Sequence, residues 1–462
     1  MSIATELASR IHATDYDALP DAAIRAAKVG LLDTIGVTLA GCQEPAARFA
    51  AQAAGEAPGP ALIFGSSRHA RALDAALING TASHALDFDD CNNTLGGHPS
   101  APILPALLAL AEEIGASGRD TLAAYVIGFE VETRIARGVH FHHYEKGWHP
   151  TATLGVFGAA AASAKLMRLA PEQIATALSI AASFSSGVKA NFGTMVKPLH
   201  VGHCSRNGLF AALLAREGFD AGAQAFEHKQ GFLNVFNGAG NYDAGKIVAG
   251  WGEPYDIVSP GIAIKQYPCC GSTHPALDVM LELVQRHELR PENVTRIDSY
   301  THKRRLEHTN RPDPQSALDA KFSVQYCLAR ALAHGKVMID HFEGDAHRDP
   351  AIRALLPKIH AAAYTEAQFP ADNHFGAEIR ITLAGGGIVA GKIDQPHGRT
   401  SANPLPAEML KAKFDNCAAR ALPPDAVARA YETIQRFERL ANVRELTGAL
   451  LVPEAQRKRV SA

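Results

Sequence analysis

The chain has 462 residues, too many for one hydrophobic core of ordinary size, so two domains are expected. Hydrophobic residues make up 47% and charged residues 20%, the composition of an ordinary globular protein. A net charge of −2 offers no field for nucleic acid or an anionic membrane, so any anion recognition must be local.

The opening MSIATELASRIHATDY reads as an amphipathic helix, without the basic start and apolar core of a signal peptide. No apolar run reaches the length of a membrane span. The seven cysteines are odd in number and scattered, which points to reduced thiols and a cytoplasmic location. From there to about residue 260 the chain reads as helix after helix. Leu31, Ile35 and Leu39 form one stripe, with Gly41 as its stop. Asp120 is placed as the cap of DTLAAYVIGFEVETRIARGV. The Ala/Gly-rich ATLGVFGAAAASAKLMRL suits a close-packed centre or a subunit interface.

The texture changes after residue 265. NVTRIDSYTHKRRLEHT alternates like a strand, and AEIRITLAGGGIVAGKID reads as a hairpin around Gly385, Gly386 and Gly387. HPALDVMLELVQRH and SALDAKFSVQYCLARALAHG are helical, and NPLPAEMLKAKFDNCAARAL returns to helix. The expected fold is mainly α: a large all-helical domain from residues 1–264 and 401–462, with a smaller α+β domain, 265–400, inserted before the last helices.

Four segments carry chemistry. In HALDFDDCNNTLGGHPS, Asp87 falls three residues after His84 on a continued helix, which predicts that Asp87 faces the interior and Asp89 points away. DDCNN also fits an aspartate-rich Mg²⁺–diphosphate pattern, without a second such motif. In VHFHHYEKGWHPTATLGVFG the spacing of His140, His142 and His143 matches no zinc signature. His149 stands at the positive end of a helix, which disfavours imidazolium. In NFGTMVKPLHVGHCSRNG, Pro198 biases Lys197 toward an extended backbone, with Gly202 and the following residues opening the helix. A lysine beside a helix start makes an anion site. In KQYPCCGSTH, Ser272 is the expected cap of the next helix, which would favour a Cys270 thiolate. Cys269 and His274 read as structural neighbours.

Taken in order, HALDFDD with HPS, GWHPTATLGVFGAAAASAKLM, KPLHVGHCSRNG, KQYPCCGSTH, TNRPDP and SANPLPAEMLKAKF resemble the MmgE/PrpD family. That family includes 2-methylcitrate dehydratase, cis-aconitate decarboxylase and iminodisuccinate epimerase. The resemblance implies a helical domain built from both chain ends, an α+β lid and a site between them. It further implies a homodimer, a small polycarboxylate substrate, and no metal or organic cofactor. Carried over by motif, the catalytic residues are Asp87, His98, His149, Lys197 and Lys265; Cys270 joins them as a proton carrier, and Cys91 and His308 are expected to contact substrate. Cys91, Cys270 and His308 stand where the family's decarboxylases carry threonine, histidine and tyrosine, which argues against cis-aconitate decarboxylation. A 2-methylcitrate dehydratase-like hydro-lyase comes first, an epimerase of an iminodisuccinate-like diacid second, and a Mg²⁺-dependent diphosphate lyase third. A non-catalytic helical interaction protein is the remaining alternative.

Overall fold

The computed structural model describes residues 1–55 and 57–452. They form two compact units: Met1–Ile264 with the segment that starts at Ala407, and Lys265–Pro406. Among the described residues no helix is long and apolar enough to cross a membrane.

The first unit is helical. Ser2 caps the helix Ile3–Ala13, whose buried Ile3, Leu7 and Ile11 recur every four residues. Helix Gly118–Glu145 is capped by Ser117, whose hydroxyl accepts from the Asp120 N–H, so Asp120 lies in the first turn and is not the cap. The centre is close-packed because small residues face each other. Helix Ala72–His84 crosses helix Val196–Arg216 at Gly80 and Gly202. A Cβ on Gly202 would stand 2.2 Å from the Leu77 carbonyl oxygen. The Ala/Gly-rich helix Gly155–Leu166 packs against Val196–Arg216 at Gly208, where a Cβ would meet Ala159 at 2.5 Å. Gly80 precedes the end of its helix and Gly202 follows the start of its own. The crossing therefore holds Asp87, just past one helix, beside Lys197 in the first turn of the other.

Helix Ala407–Ala418 packs on helix Asp21–Gly41. Its Lys413 Nζ lies 2.5 Å from Asp33 Oδ1 and donates to the Phe88 carbonyl at 2.8 Å. A buried lysine needs such a partner. The late helix thereby anchors the segment that carries Asp87 and Asp89.

The second unit is α+β. Its four-stranded sheet runs Ile359–Ala363, Val294–Thr301, Ala377–Leu383, Ile388–Ile393, with the first pair parallel and the others antiparallel. The glycine-rich hairpin forms as expected, with Gly386 at φ +84° in the turn. The strand expected over NVTRIDSYTHKRRLEHT ends at Thr301, and Lys303–Thr309 is helical, capped by His302. Helices His274–His287 and Val324–His334 cover the sheet with one apolar core that includes Leu277, Met280, Leu328, Ile297 and Ile379.

Candidate active site

The helix Ala72–His84 stops at His84, and Asp87 has left-handed backbone, φ +53°. Aspartate tolerates that region better than most residues. The turn ends the helical phase, so Asp89 and not Asp87 goes inward. Asp89 is fully buried, whereas the Asp87 side chain is 35% exposed. The expectation that Asp87 faces the interior failed because it assumed a helix that had already ended.

Asp89 organises two histidines. Its carboxylate accepts from Nδ1 of His84 at 2.8 Å and lies 3.2 Å from Nδ1 of His98. Nε2 of His98 faces Oδ1 of Asp87 at 3.5 Å, and Lys197 Nζ donates to that same oxygen at 2.7 Å. Burial opposes ionisation of Asp89, but the two histidines outweigh it and hold its carboxyl below the ordinary range. Burial likewise opposes charge on His98, yet Asp89 and Cys91 overcome it, and its pKa lies well above 6.5. The Cys91 sulfur is 3.8 Å from Nδ1 of His98. His84 goes the other way: burial pulls it down to about 4, so it is neutral. With its Nδ1–H given to Asp89, Nε2 of His84 carries a lone pair and has no hydrogen-bond partner among the described residues.

His149 precedes the short helix Pro150–Thr153 and is buried, its Nδ1 3.3 Å from Nδ1 of His200. Its pKa falls well below the ordinary value, first through burial and then through His84, Lys197 and His98. The neutral imidazole matches expectation, although desolvation and neighbouring positive charge produce it. Lys197 lies inside the helix from Val196, so neither the extended backbone nor the later helix start at Gly202 holds. Pro198 is tolerated because it falls in the first turn, where its missing N–H would be unpaired anyway.

The second unit holds a separate group of sequence-predicted residues. Lys265 is buried, at 8% exposure. The Cys270 N–H donates to the Lys321 carbonyl at 2.9 Å. Burial raises the Cys270 pKa against the pull of the Ser272 N–H and Lys265, so the group is a thiol. The expected thiolate fails for two reasons. The helix starts at His274 with Thr273 at its cap position, which displaces Ser272, and burial outweighs the pull of the Ser272 N–H and Lys265. The Ser272 hydroxyl bonds Nε2 of His308 at 3.0 Å instead. Cys269 is buried beside the Thr273 hydroxyl at 3.2 Å, and Nε2 of His274 faces its carbonyl at 3.3 Å.

The N-terminal domain model of the MmgE/PrpD family matches residues 5–244, and its C-terminal domain model matches 267–439. The chain belongs to the MmgE/PrpD family. It is 30% identical to a cis-aconitate decarboxylase of Homo sapiens, with 98% of this chain and 95% of the relative covered. It is 28% identical to one of Mus musculus (98% and 94% covered), and 27% identical to one of Aspergillus terreus (95% and 93% covered). As a member of this family it is an enzyme of lyase type.

Of the residues carried over from the MmgE/PrpD pattern, Asp87, Cys91, His98, His149 and Lys197 gather in the helical unit. Lys265, Cys270 and His308 belong to the α+β unit. The sequence reading missed the roles of His84, Asp89 and His200 in the first group, and of Ser272 in the second. One donor atom each from His84, Asp87, Asp89 and His98 falls within 4.8 Å of the others, a mixed nitrogen–oxygen set of the kind zinc prefers over Mg²⁺. In this structure, however, the Lys197 ammonium already sits against Asp87. DDCNN does not form an open diphosphate face: Asp89 is held by two histidines and Asp90 by the Ser100 hydroxyl. Burial, followed by Asp33, raises the Asp90 pKa well above the ordinary value, which further disfavours a metal-binding carboxylate.

Proposed function

We propose that this chain acts on a small di- or tricarboxylic acid by removing the proton beside a carboxylate, and that its reaction is loss of water from a methylcitrate-like hydroxy acid. The observation that carries the proposal is the partly exposed trio of Asp87, His98 and Lys197. A carboxylate lies 2.7 Å from an ammonium and 3.5 Å from an imidazole whose charge Asp89 favours. A hydrogen beside a carboxylate is weakly acidic, so a base alone does not suffice. Cations must meet the charge that develops on the carboxylate oxygens. Lys197 and His98 supply them, while Asp87 takes the proton in this reading. Neutral His149 remains a donor or acceptor, and the Cys270 thiol is a proton donor able to assist departure of a hydroxyl. As the family resemblance implies, the reading includes a homodimer, a cytoplasmic location, and neither metal nor organic cofactor.

One observation favours a second reading. Cys270 is held as a protonated thiol, distinct from the carboxylate base. An epimerase needs both a group that removes a proton and a group that returns one. The curated relatives act as decarboxylases by name, but Cys91, Cys270 and His308 depart from the pattern that the sequence resemblance attaches to that activity.

NMR of a panel of polycarboxylates in D₂O tests these readings. A new alkene with loss of water is expected for the hydro-lyase. Deuterium uptake with inverted optical rotation and no change in formula identifies the epimerase, and release of CO₂ a decarboxylase. A panel with no exchange and no product overturns proton abstraction.

A further inference from the structure

Within the α+β unit, Arg305 differs from five other arginines. Arg296, Arg311, Arg330, Arg353 and Arg380 each sit against a carboxylate. Arg305 instead gives Nε–H to the His374 carbonyl and Nη1–H to the Ser272 hydroxyl at 3.3 Å. Its guanidinium carbon lies 4.2 Å from the centre of the Phe375 ring, and that of Arg399 lies 4.5 Å from the same centre. Two guanidiniums are thus gathered on one aromatic ring. Burial and then the charge of Arg399 lower the Arg305 pKa to about 10, which marks an environment short of negative charge. Arg305 has five N–H groups, of which one on Nη1 and both on Nη2 enter none of these hydrogen bonds.

The surroundings give this edge a direction. The Ser272 hydroxyl joins Arg305 to Nε2 of His308, and Ser272 stands two residues from Cys270. The charged form of Cys270 would favour the Arg305 cation, and Lys265 favours that charged form, so both cations act within electrostatic reach of the sulfur. A planar fork with a free edge is the geometry that grips a carboxylate in two places.

We propose that Arg305, held by Ser272 and assisted by His308, binds a carboxylate group of the substrate beside Cys270. This rests on the polycarboxylate reading above and adds the residue that recognises one of the acid groups. Arg305 orients the acid so that the carbon bearing the exchanging hydrogen or leaving group lies at the thiol.

Calorimetric titration of the full chain with tricarballylate, an unreactive tricarboxylate, and with glutarate, which lacks one of its carboxylates, tests the proposal. Wild type should bind tricarballylate more tightly. Arg305→Gln should weaken tricarballylate by about tenfold or more and shrink the gap between the two acids, while Arg305→Lys recovers part of the loss. Circular dichroism checks folding. If Arg305→Gln does not fold, Ser272→Ala, which frees the guanidinium, should produce a smaller narrowing of the same gap. An unchanged gap in the folded variants overturns the subsite and leaves the polycarboxylate reading standing. Wild type that binds neither acid overturns the subsite as well, and an NMR panel with neither exchange nor product then shows that the reading falls with it.

Discussion

Two side-chain clusters, one in each unit, treat charge in opposite ways. In the helical cluster opposite charges compensate one another: Asp89 serves two histidines, and Asp87 is shared by His98 and Lys197. In the α+β unit, Arg305 and Arg399 crowd one ring and Cys270 stays neutral. A self-compensated cluster keeps its protonation states through burial and is suited to moving a proton. A cationic cluster with an open N–H edge is suited to holding an anion. The contrast follows from what each backbone permits. The left-handed turn at Asp87 lets two side chains, His98 and Lys197, meet on its carboxylate, while the Ser272 hydroxyl holds Arg305 near the Cys270 loop.

Lys197→Ala breaks the compensated side most severely. The expected loss in kcat/KM is about 10²–10³-fold, because a preorganised cation at the developing charge is removed. A melting temperature close to wild type would separate this loss from unfolding. Cys270→Ala probes the other side and should cost about 10²-fold in kcat, the lower range for loss of a positioned proton carrier, with Cys270→Ser retaining part of it. Equal activity for wild type and Cys270→Ala would remove the thiol from the chemistry. Gly202→Ala is a structural test and the smallest change. The added methyl meets Leu77 and Thr81, so the helices must part, at a cost of about 1–3 kcal/mol in denaturant unfolding. Because the crossing sets Lys197 against Asp87, kcat should fall with stability. Stability lost without any change in kcat would detach the crossing from the site.

Much of the architecture was legible in the sequence. Apolar spacing marked the helices, and the Gly385–Gly387 run marked the hairpin turn. The Ala/Gly-rich stretch indicated the close-packed centre now seen at Ala159 and Gly208. The site was legible as residue types and less so as arrangement. Asp87 and Asp89 exchange inner and outer places because one residue adopts positive φ, which no apolar period reports. Cys270 is a thiol because burial outweighs the pull of the Ser272 N–H and Lys265, and burial is a tertiary property. The signal for Asp89 lay in its two near histidines, His84 and His98, but linking them needs the loop that returns His98 to the helix end. Arg305 gives no local signal at all: its partners Ser272, His374 and Phe375 come from distant parts of the unit.

The proposed chemistry depends above all on the charge that Asp89 maintains on His98. The raised pKa means that imidazolium persists above pH 6.5 and is lost only as pH climbs through the raised value. The decisive measurement is the pH dependence of kcat/KM for the reaction identified in D₂O, in wild type and in Asp89→Asn. Wild type should stay active through pH 6.5 and decline only well above it. The variant, with the Asp89 charge gone and burial opposed only by Cys91 and Asp87, should lose activity at a clearly lower pH than wild type. Superimposable profiles would contradict the assignment of Asp89 as the residue that keeps His98 charged.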